Sequence, residues 1–294
     1  MDMSAQIVQL LVAGITTGSI YAIVAVGFNV IFKSTDAINF AQGEWVMMGG
    51  MVAAACYAVA ELPLWLSCLA AVALVALAGG LSERLVIHPL KKPAPLLVTL
   101  LSIGLAICTK SLVMLGLGKT PMGYPAFSGD APVPLAGAQI PPQSFWVMGV
   151  ALLFMLGTHF FFERTLLGKT LRATAIDRDA AALVGINVRR SVTVAFVLAA
   201  LAGGIAGVII APLTFTSYDH GTMLGFKGFS AAMLGGLGSL QGALLGGLLL
   251  GVIEALGGGL ISSQYKDALS FIVLLLVLFY RPQGLLGKAE INKV

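Results

Sequence analysis

The sequence predicts an all-α fold, a polytopic integral membrane helix bundle of about eight to ten membrane segments, some of them broken or re-entrant. Three observations carry this. Apolar residues make up 58% of the 294-residue chain and charged residues only 10%, whereas soluble domains carry about 25% charged residues. Apolar runs of roughly 20 residues, enough to cross about 30 Å of hydrocarbon, recur along the chain. The 36 glycines suit helices packing in lipid, because small residues let backbones approach closely. No polar stretch is long enough for a soluble domain, so residues 1–294 read as one transmembrane domain.

The first apolar run is 6–32. It follows "MDMSAQIVQLL", which holds Asp2 but no Lys or Arg, so a cleaved signal with a basic start is not expected. Runs 44–60 and 62–87 come next, and Arg84, Lys91 and Lys92 lead into run 96–117. Loop 118–144 has six prolines, from Pro121 to Pro142, and Lys119 as its one base. Run 145–163, the segment 164–190, run 191–211, a glycine-rich tract at 229–258, run 266–280 and the tail 281–294 complete the chain. Twelve of the seventeen basic residues are Arg84, Lys91 and Lys92, the six in 164–190, and Arg281, Lys288 and Lys293 of the tail. The positive-inside rule makes these segments internal and loop 118–144 external. Proline should discourage regular structure in that loop, which either receives a binding protein or bridges two helices. Counting crossings makes 229–258 a re-entrant pair of half-helices or two short spans, and puts the N-terminus outside if 6–32, 44–60 and 62–87 all span.

The net charge of +4 follows this topology, so lipid is an expected partner and nucleic acid is not. Catalytic motifs fail on inspection. "GKT" occurs at Gly118–Thr120 and Gly168–Thr170, but Val113 and Glu163 stand where a phosphate-binding loop needs glycine, so no ATP site is expected in this chain. His159 and Glu163 lie four apart without a second ligand pair for zinc. Cys56, Cys68 and Cys108 are isolated in apolar runs. The expected chain is not an enzyme and binds no metal or cofactor.

Within 164–190, "IDRDAAALVGINVRR" gathers charges around alanines. Asp179 can start a helix, Ala180 and Ala181 favour one, and Gly185 can end it in the left-handed conformation. Ala180, Leu183, Val184 and Asn187 would share a face. Small side chains suit a helix lying in a partner's groove, with Asp177, Arg178, Asp179 and Arg189 orienting it. A solvated connector that only enforces topology is the alternative.

Residues 33–50, "KSTDAINFAQGEWVMMGG", place Asn39, Gln42 and Glu44 beside apolar runs. They form either an internal turn or a broken helix facing a translocation pathway, where polar backbone is tolerated. Asn29, deeper in its run, bonds a neighbouring helix or faces substrate. Lys110 and Glu254 are candidates for an interhelical pair, or else snorkel separately. Gly14 and Gly18, Gly203 and Gly207, Gly242 and Gly246, and Gly247 and Gly251 share helix faces at four-residue spacing, as close-packing seams do. Two polar-interrupted glycine-rich tracts, 29–50 and 217–247, occupy corresponding halves, as transporter repeats do.

"DAAALVG" from Asp179 to Gly185 resembles the EAA loop of ATP-binding-cassette importer permeases, with Asp for Glu. "INFAQGEWVMMGG" at 38–50, 166–190, "GFKGFSAAMLGGLGSLQGALLGGLLLGVIEAL" at 225–256 and "RPQGLLGK" at 281–288 are similar to the branched-chain amino acid permeases of the LivH type, over about residues 6–288. The resemblance implies a bacterial inner-membrane permease that works with a second permease, two cytoplasmic ATPases holding ATP and Mg, and a periplasmic solute-binding protein. It implies that Asp177, Asp179, Ala180, Ala181, Leu183 and Gly185 form the ATPase-coupling helix. The rival expectation is an ion-coupled secondary transporter of small amino acids or amides, with Asp219 and Glu254 as candidate ion ligands.

Overall fold

The computed structural model describes residues 3–90, 94–281 and 283–287; Asp2, Lys91, Lys92, Lys288 and Lys293 lie outside the described residues. Eleven α-helices are present among them: α1 Met3–Thr35, α2 Gln42–Ala58, α3 Leu64–Ser82, α4 Pro95–Leu117, α5 Pro142–Arg164, α6 Leu166–Ile176, α7 Arg178–Leu183, α8 Val188–Thr214, α9 His220–Gly235, α10 Leu240–Leu260 and α11 Lys266–Tyr280. A π-helical turn, Glu83–Ile87, extends α3.

Among the described residues, seven helical segments are long and apolar enough to cross a membrane, built on α1, α3, α4, α5, α8, α10 and α11. Two shorter helices, α2 with 17 residues and α9 with 16, fill the interior, each about 24–26 Å long at 1.5 Å per residue. Run 44–60 is therefore a short helix inside the bundle, and tract 229–258 resolves into the end of α9, a turn and all but the last turn of α10.

Burial sorts the helices into layers. Over their most apolar stretches α1 and α8 are 67% and 72% buried, against 17% for α4 and 11% for α11. The first pair forms the core, and the second pair presents Leu, Ile and Phe outward, where hydrocarbon is as good a neighbour as protein. With no hydrophobic drive between helices in lipid, attraction depends on how closely backbones approach. Glycine sets that distance here. A methyl on Gly18 of α1 would stand 2.8 Å from the Gly247 carbonyl of α10, and one on Gly14 2.8 Å from Val252 Cα; Gly251 closes the same seam from the other side. Gly203 and Gly207 of α8 lie against Trp45, Val46 and Gly50 of α2, while Gly242 and Gly246 of α10 lie against Gly235 of α9.

The ends are stitched by local chemistry. Loop 118–144 does form regular structure: strands Val133–Leu135 and Ala138–Ile140 pair antiparallel around Ala136 and Gly137, both at positive φ. Pro134 is tolerated because this two-stranded hairpin leaves it on an edge. Ala5 of α1 packs near Gly137, so the N-terminal end of α1 shares this end of the bundle. At the opposite end, the Leu285 and Leu286 amides donate to the Leu234 and Gly235 carbonyls at 2.9 Å each. The tail thereby satisfies the last carbonyls of α9, groups a helix end leaves orphaned.

Gly207→Ala should lower thermal stability in detergent by about 1–3 kcal/mol, the cost of overpacking a tight core, because its methyl would collide with the Val46 carbonyl. Gly149→Ala, with nothing within 4 Å, should be neutral or slightly stabilising. Equal melting shifts for the two would refute the seam.

Candidate functional site

Two interruptions shape the interior. The first leaves α1 through Asp36, whose φ of +53° turns the chain, and ends where α2 begins. Gln42 Nε2 donates to the Ala199 carbonyl at 2.9 Å, midway along α8, so α2 starts deep in the bundle. Irregular backbone at such depth needs partners. They come from α4: the Ile38 amide donates to Thr99 Oγ1 at 3.3 Å, and the Phe40 amide to Ser102 Oγ at 3.0 Å. Asn39 Oδ1 accepts from the Ala41 amide at 3.1 Å. The second interruption, 215–219, leaves α8 through Phe215 at φ +54° and bonds back to Met122 through Thr216.

The two interruptions aim the N-termini of α2 and α9 at each other. A methyl on Gly43 would lie 2.7 Å from Gly225 Cα, and one on Gly221 2.9 Å from the Gly43 carbonyl. Neither helix has a side-chain N-cap bond. Facing N-termini carry like partial charges, roughly half a positive charge each, and an anion in the first turn relieves both. Glu44 is the acidic residue in that turn. It is 3% exposed, and its Oε1 accepts from Thr222 Oγ1 of α9 at 2.9 Å. Its Oε2, with Asn39 Nδ2 and Gln42 Oε1, is buried with no hydrogen-bond partner among the described residues. Beside Glu44 a cleft of about 420 Å³ opens between α4 and α9, lined by Phe40, Glu44, Ile103, Ile107, Lys110 and Phe226, among others.

The four polar residues picked out by sequence thus separate. Glu44 lines the cleft; Asn39 and Gln42 are fully buried beside it and brace the interruption. Asn29 leaves the pathway set. Its Nδ2 donates to the Ser239 carbonyl at 2.8 Å and its Oδ1 accepts from the Gly238 amide at 3.0 Å, so both ends of its amide fix the turn between α9 and α10.

Lys110 and Glu254 do not pair. Lys110 Nζ lies 5.6 Å from the Tyr218 ring centroid. Glu254 is fully buried and belongs to a different cluster: Lys227 Nζ at 2.7 Å, Lys266 Nζ at 3.1 Å, Tyr21 OH at 3.0 Å and Ser270 Oγ at 3.3 Å. Lys227 also meets Asp267 at 2.6 Å. Two cations and two anions balance, and the cluster joins α1, α9, α10 and α11. Sequence reading missed Lys227 because it sits in a tract read only for glycine. Its signal was its place as the one charged residue of α9 that α10, with Glu254 alone, could neutralise. Glu254, surrounded by donors, is not free to ligate a coupling ion, and Asp219 accepts from Ser217.

At the internal end, Asp177 rather than Asp179 caps α7: its Oδ1 accepts from the Ala180 amide at 2.9 Å, leaving Asp179 in the first turn. Gly185 ends the helix at φ +86°. Asn187 is not on the α7 face; its side chain caps α8 by accepting from Arg190. Ala181 is buried against the bundle, Ala180 is exposed, and Leu183 and Val184 are 89% and 78% exposed. Arg178 bridges to Asp36 at 2.7 Å, so α7 touches the chain where the first interruption begins. Glu163 pairs with Arg172 at 2.6 Å rather than acting with His159.

Lys227→Met should destabilise the protein by about 3–5 kcal/mol, the cost of stranding a buried charge, and Lys227→Met with Glu254→Gln should recover part of it. Lys110→Met should leave the melting temperature near that of the parent. A thermal melt in detergent distinguishes these; a large loss on Lys110→Met that Glu254→Gln rescues would reinstate the other pairing.

Residues 10–278 match the family described as branched-chain amino acid transport system / permease component. The high-affinity branched-chain amino acid transport system permease protein BraD of Pseudomonas aeruginosa is 36% identical, over 97% of both chains. LivH of Escherichia coli K12, of the same description, is 34% identical over 96% of both chains. The ribose import permease protein RbsC of the same strain is 26% identical over 88% of this chain and 81% of its own. With seven helical segments among the described residues able to span a membrane and these relatives, the protein is a multi-pass membrane protein and a transport permease component. It belongs to the branched-chain amino acid transport system permease family.

Proposed function

We propose that this chain is the membrane subunit of an ATP-driven importer of branched-chain amino acids in a bacterial inner membrane. A second, related permease completes the pore, two cytoplasmic ATPases hold ATP and Mg, and a periplasmic binding protein delivers the amino acid. The chain itself hydrolyses nothing and carries no cofactor.

The observation that carries this reading is α7. Ile176, Leu183 and Val184 are exposed on helices and turns outside the spanning segments, where bare apolar side chains mark a docking surface. Ala181, buried beneath them, holds α7 to the bundle. The Arg178–Asp36 bridge then gives a displaced α7 a grip on residues 36–41, and through them on the start of α2 and Glu44. ATP-driven movement of the docked subunit becomes rearrangement where α2 and α9 meet. A gradient-driven transporter lacks a reason for an apolar internal knob of this kind, and the relatives named above as permeases of high-affinity transport systems favour the ATP-driven reading.

Leu183→Asp leaves the fold alone, because that side chain packs on nothing, but puts a charge in the docking surface. ATPase subunits should no longer copurify from native membranes, and nucleotide-dependent leucine uptake in proteoliposomes should fall at least about tenfold, the effect of a hot-spot residue. Uptake that survives nucleotide depletion and follows an imposed proton or sodium gradient would refute the reading.

A further inference from the structure

The cleft beside Glu44 brings together features that passage alone does not need. Glu44 is 3% exposed, and its Oε2 has no hydrogen-bond partner among the described residues. Lys110 is the one charged residue of α4. Its ammonium lies over the Tyr218 ring and forms no salt bridge among the described residues. A carboxyl group and an ammonium thus share one cleft without a salt bridge between them. Ile103 and Ile107 stand on the same face of α4 as Lys110, at helical spacing, and Phe40 and Phe226 complete an apolar wall. At about 420 Å³ the cleft is within the range of small-molecule sites, about 300–1,000 Å³, which combine apolar walls with a few placed polar groups.

A ligand that satisfies all of this carries a positive and a negative charge close together and a compact hydrocarbon branch. We propose that the cleft binds a zwitterionic, aliphatic amino acid directly, its α-ammonium donating to Glu44, its α-carboxylate accepting from Lys110, and its side chain lying on Ile103, Ile107 and Phe226. This rests on the transport reading above and adds that the permease selects its cargo itself, beyond any selection by a binding protein. Thr222, which donates to Glu44 Oε1, is the positioning residue: it leaves Oε2 as the oxygen that lacks a donor.

The test uses the permease with its copurifying subunits, without binding protein, in lipid nanodiscs. It is titrated calorimetrically with L-leucine, with 4-methylpentanoate, which lacks the ammonium, and with isopentylamine, which lacks the carboxylate. Leucine should bind about tenfold tighter than either analogue, the scale of one charge-assisted hydrogen bond. Glu44→Gln should weaken leucine about tenfold and leave 4-methylpentanoate unchanged; Lys110→Met should weaken leucine similarly and leave isopentylamine unchanged. Ile107→Trp, at an exposed position, should abolish binding of all three by filling the cleft, and with Lys110→Met it keeps the test intact if Glu44→Gln does not fold. Leucine binding no tighter than that of the analogues, or unaltered in the folded variants, overturns the proposal. ATP-dependent leucine uptake by the parent assembly is measured alongside. ATP-driven uptake with charge-independent binding would overturn the cleft alone, and charge-dependent binding without ATP-driven uptake would overturn the ATP-driven reading alone.

Discussion

Two helices begin inside this bundle, and their N-termini face each other across Gly43 and Gly221. Left to themselves, two positive helix ends in a low-dielectric interior repel, and their first amides lack the partners that water would provide. One carboxylate, Glu44, sits in the first turn of α2 and receives the hydroxyl of Thr222 from the first turn of α9. The rest of the architecture follows from keeping that meeting point in place. It requires chain interruptions at membrane depth, neighbours that satisfy their backbone, and helix surfaces flat enough to let two backbones come so close.

Each requirement has its residues. Thr99 and Ser102 give the first interruption its hydrogen bonds, so α4, otherwise the face offered to surroundings, is also a support for residues 38–40. Glycine gives the close approach, and does so at both ends: Gly43 with Gly225 where α2 meets α9, and Gly235 with Gly242 and Gly246 where α9 meets α10. The balanced cluster of Lys227, Glu254, Lys266 and Asp267 then holds α9 against α10 and α11. A buried ion pair is poor evidence of stability in itself, since desolvation offsets much of the attraction. Its use here is register, because only one rotation and depth of α9 lets Lys227 reach both carboxylates.

This arrangement also gives the internal end a way to reach the interior. Residues 36–41 are held by Arg178 of α7 at one end and by α2 at the other. Flat glycine contacts resist sliding less than interdigitated side chains do, while the ion cluster resists it more. On the coupling proposed above, movement entering at α7 would be spent at the α2–α9 junction rather than at the α9–α10–α11 side. The cleft with Glu44 and Lys110 lies at that junction.

The sequence by itself determined the class of structure, because composition and run length report directly on the solvent a chain must meet: apolar runs, glycine spacing and basic loops gave a helical membrane bundle and its two ends. It also carried the short helix ending at Gly185, since a left-handed residue after alanines is a local property. Local signals did not decide which polar groups meet. Asn29 and Glu44 look alike as polar residues in apolar company, yet one clamps a turn and the other lines a cleft. Glu254 had several lysines to choose from, and Asp177 took the cap that Asp179 seemed suited to. Proline composition hid a hairpin. In each case the answer depends on which helices are neighbours and at what depth, and in lipid that is set by backbone approach across distant glycines, which only the tertiary structure fixes.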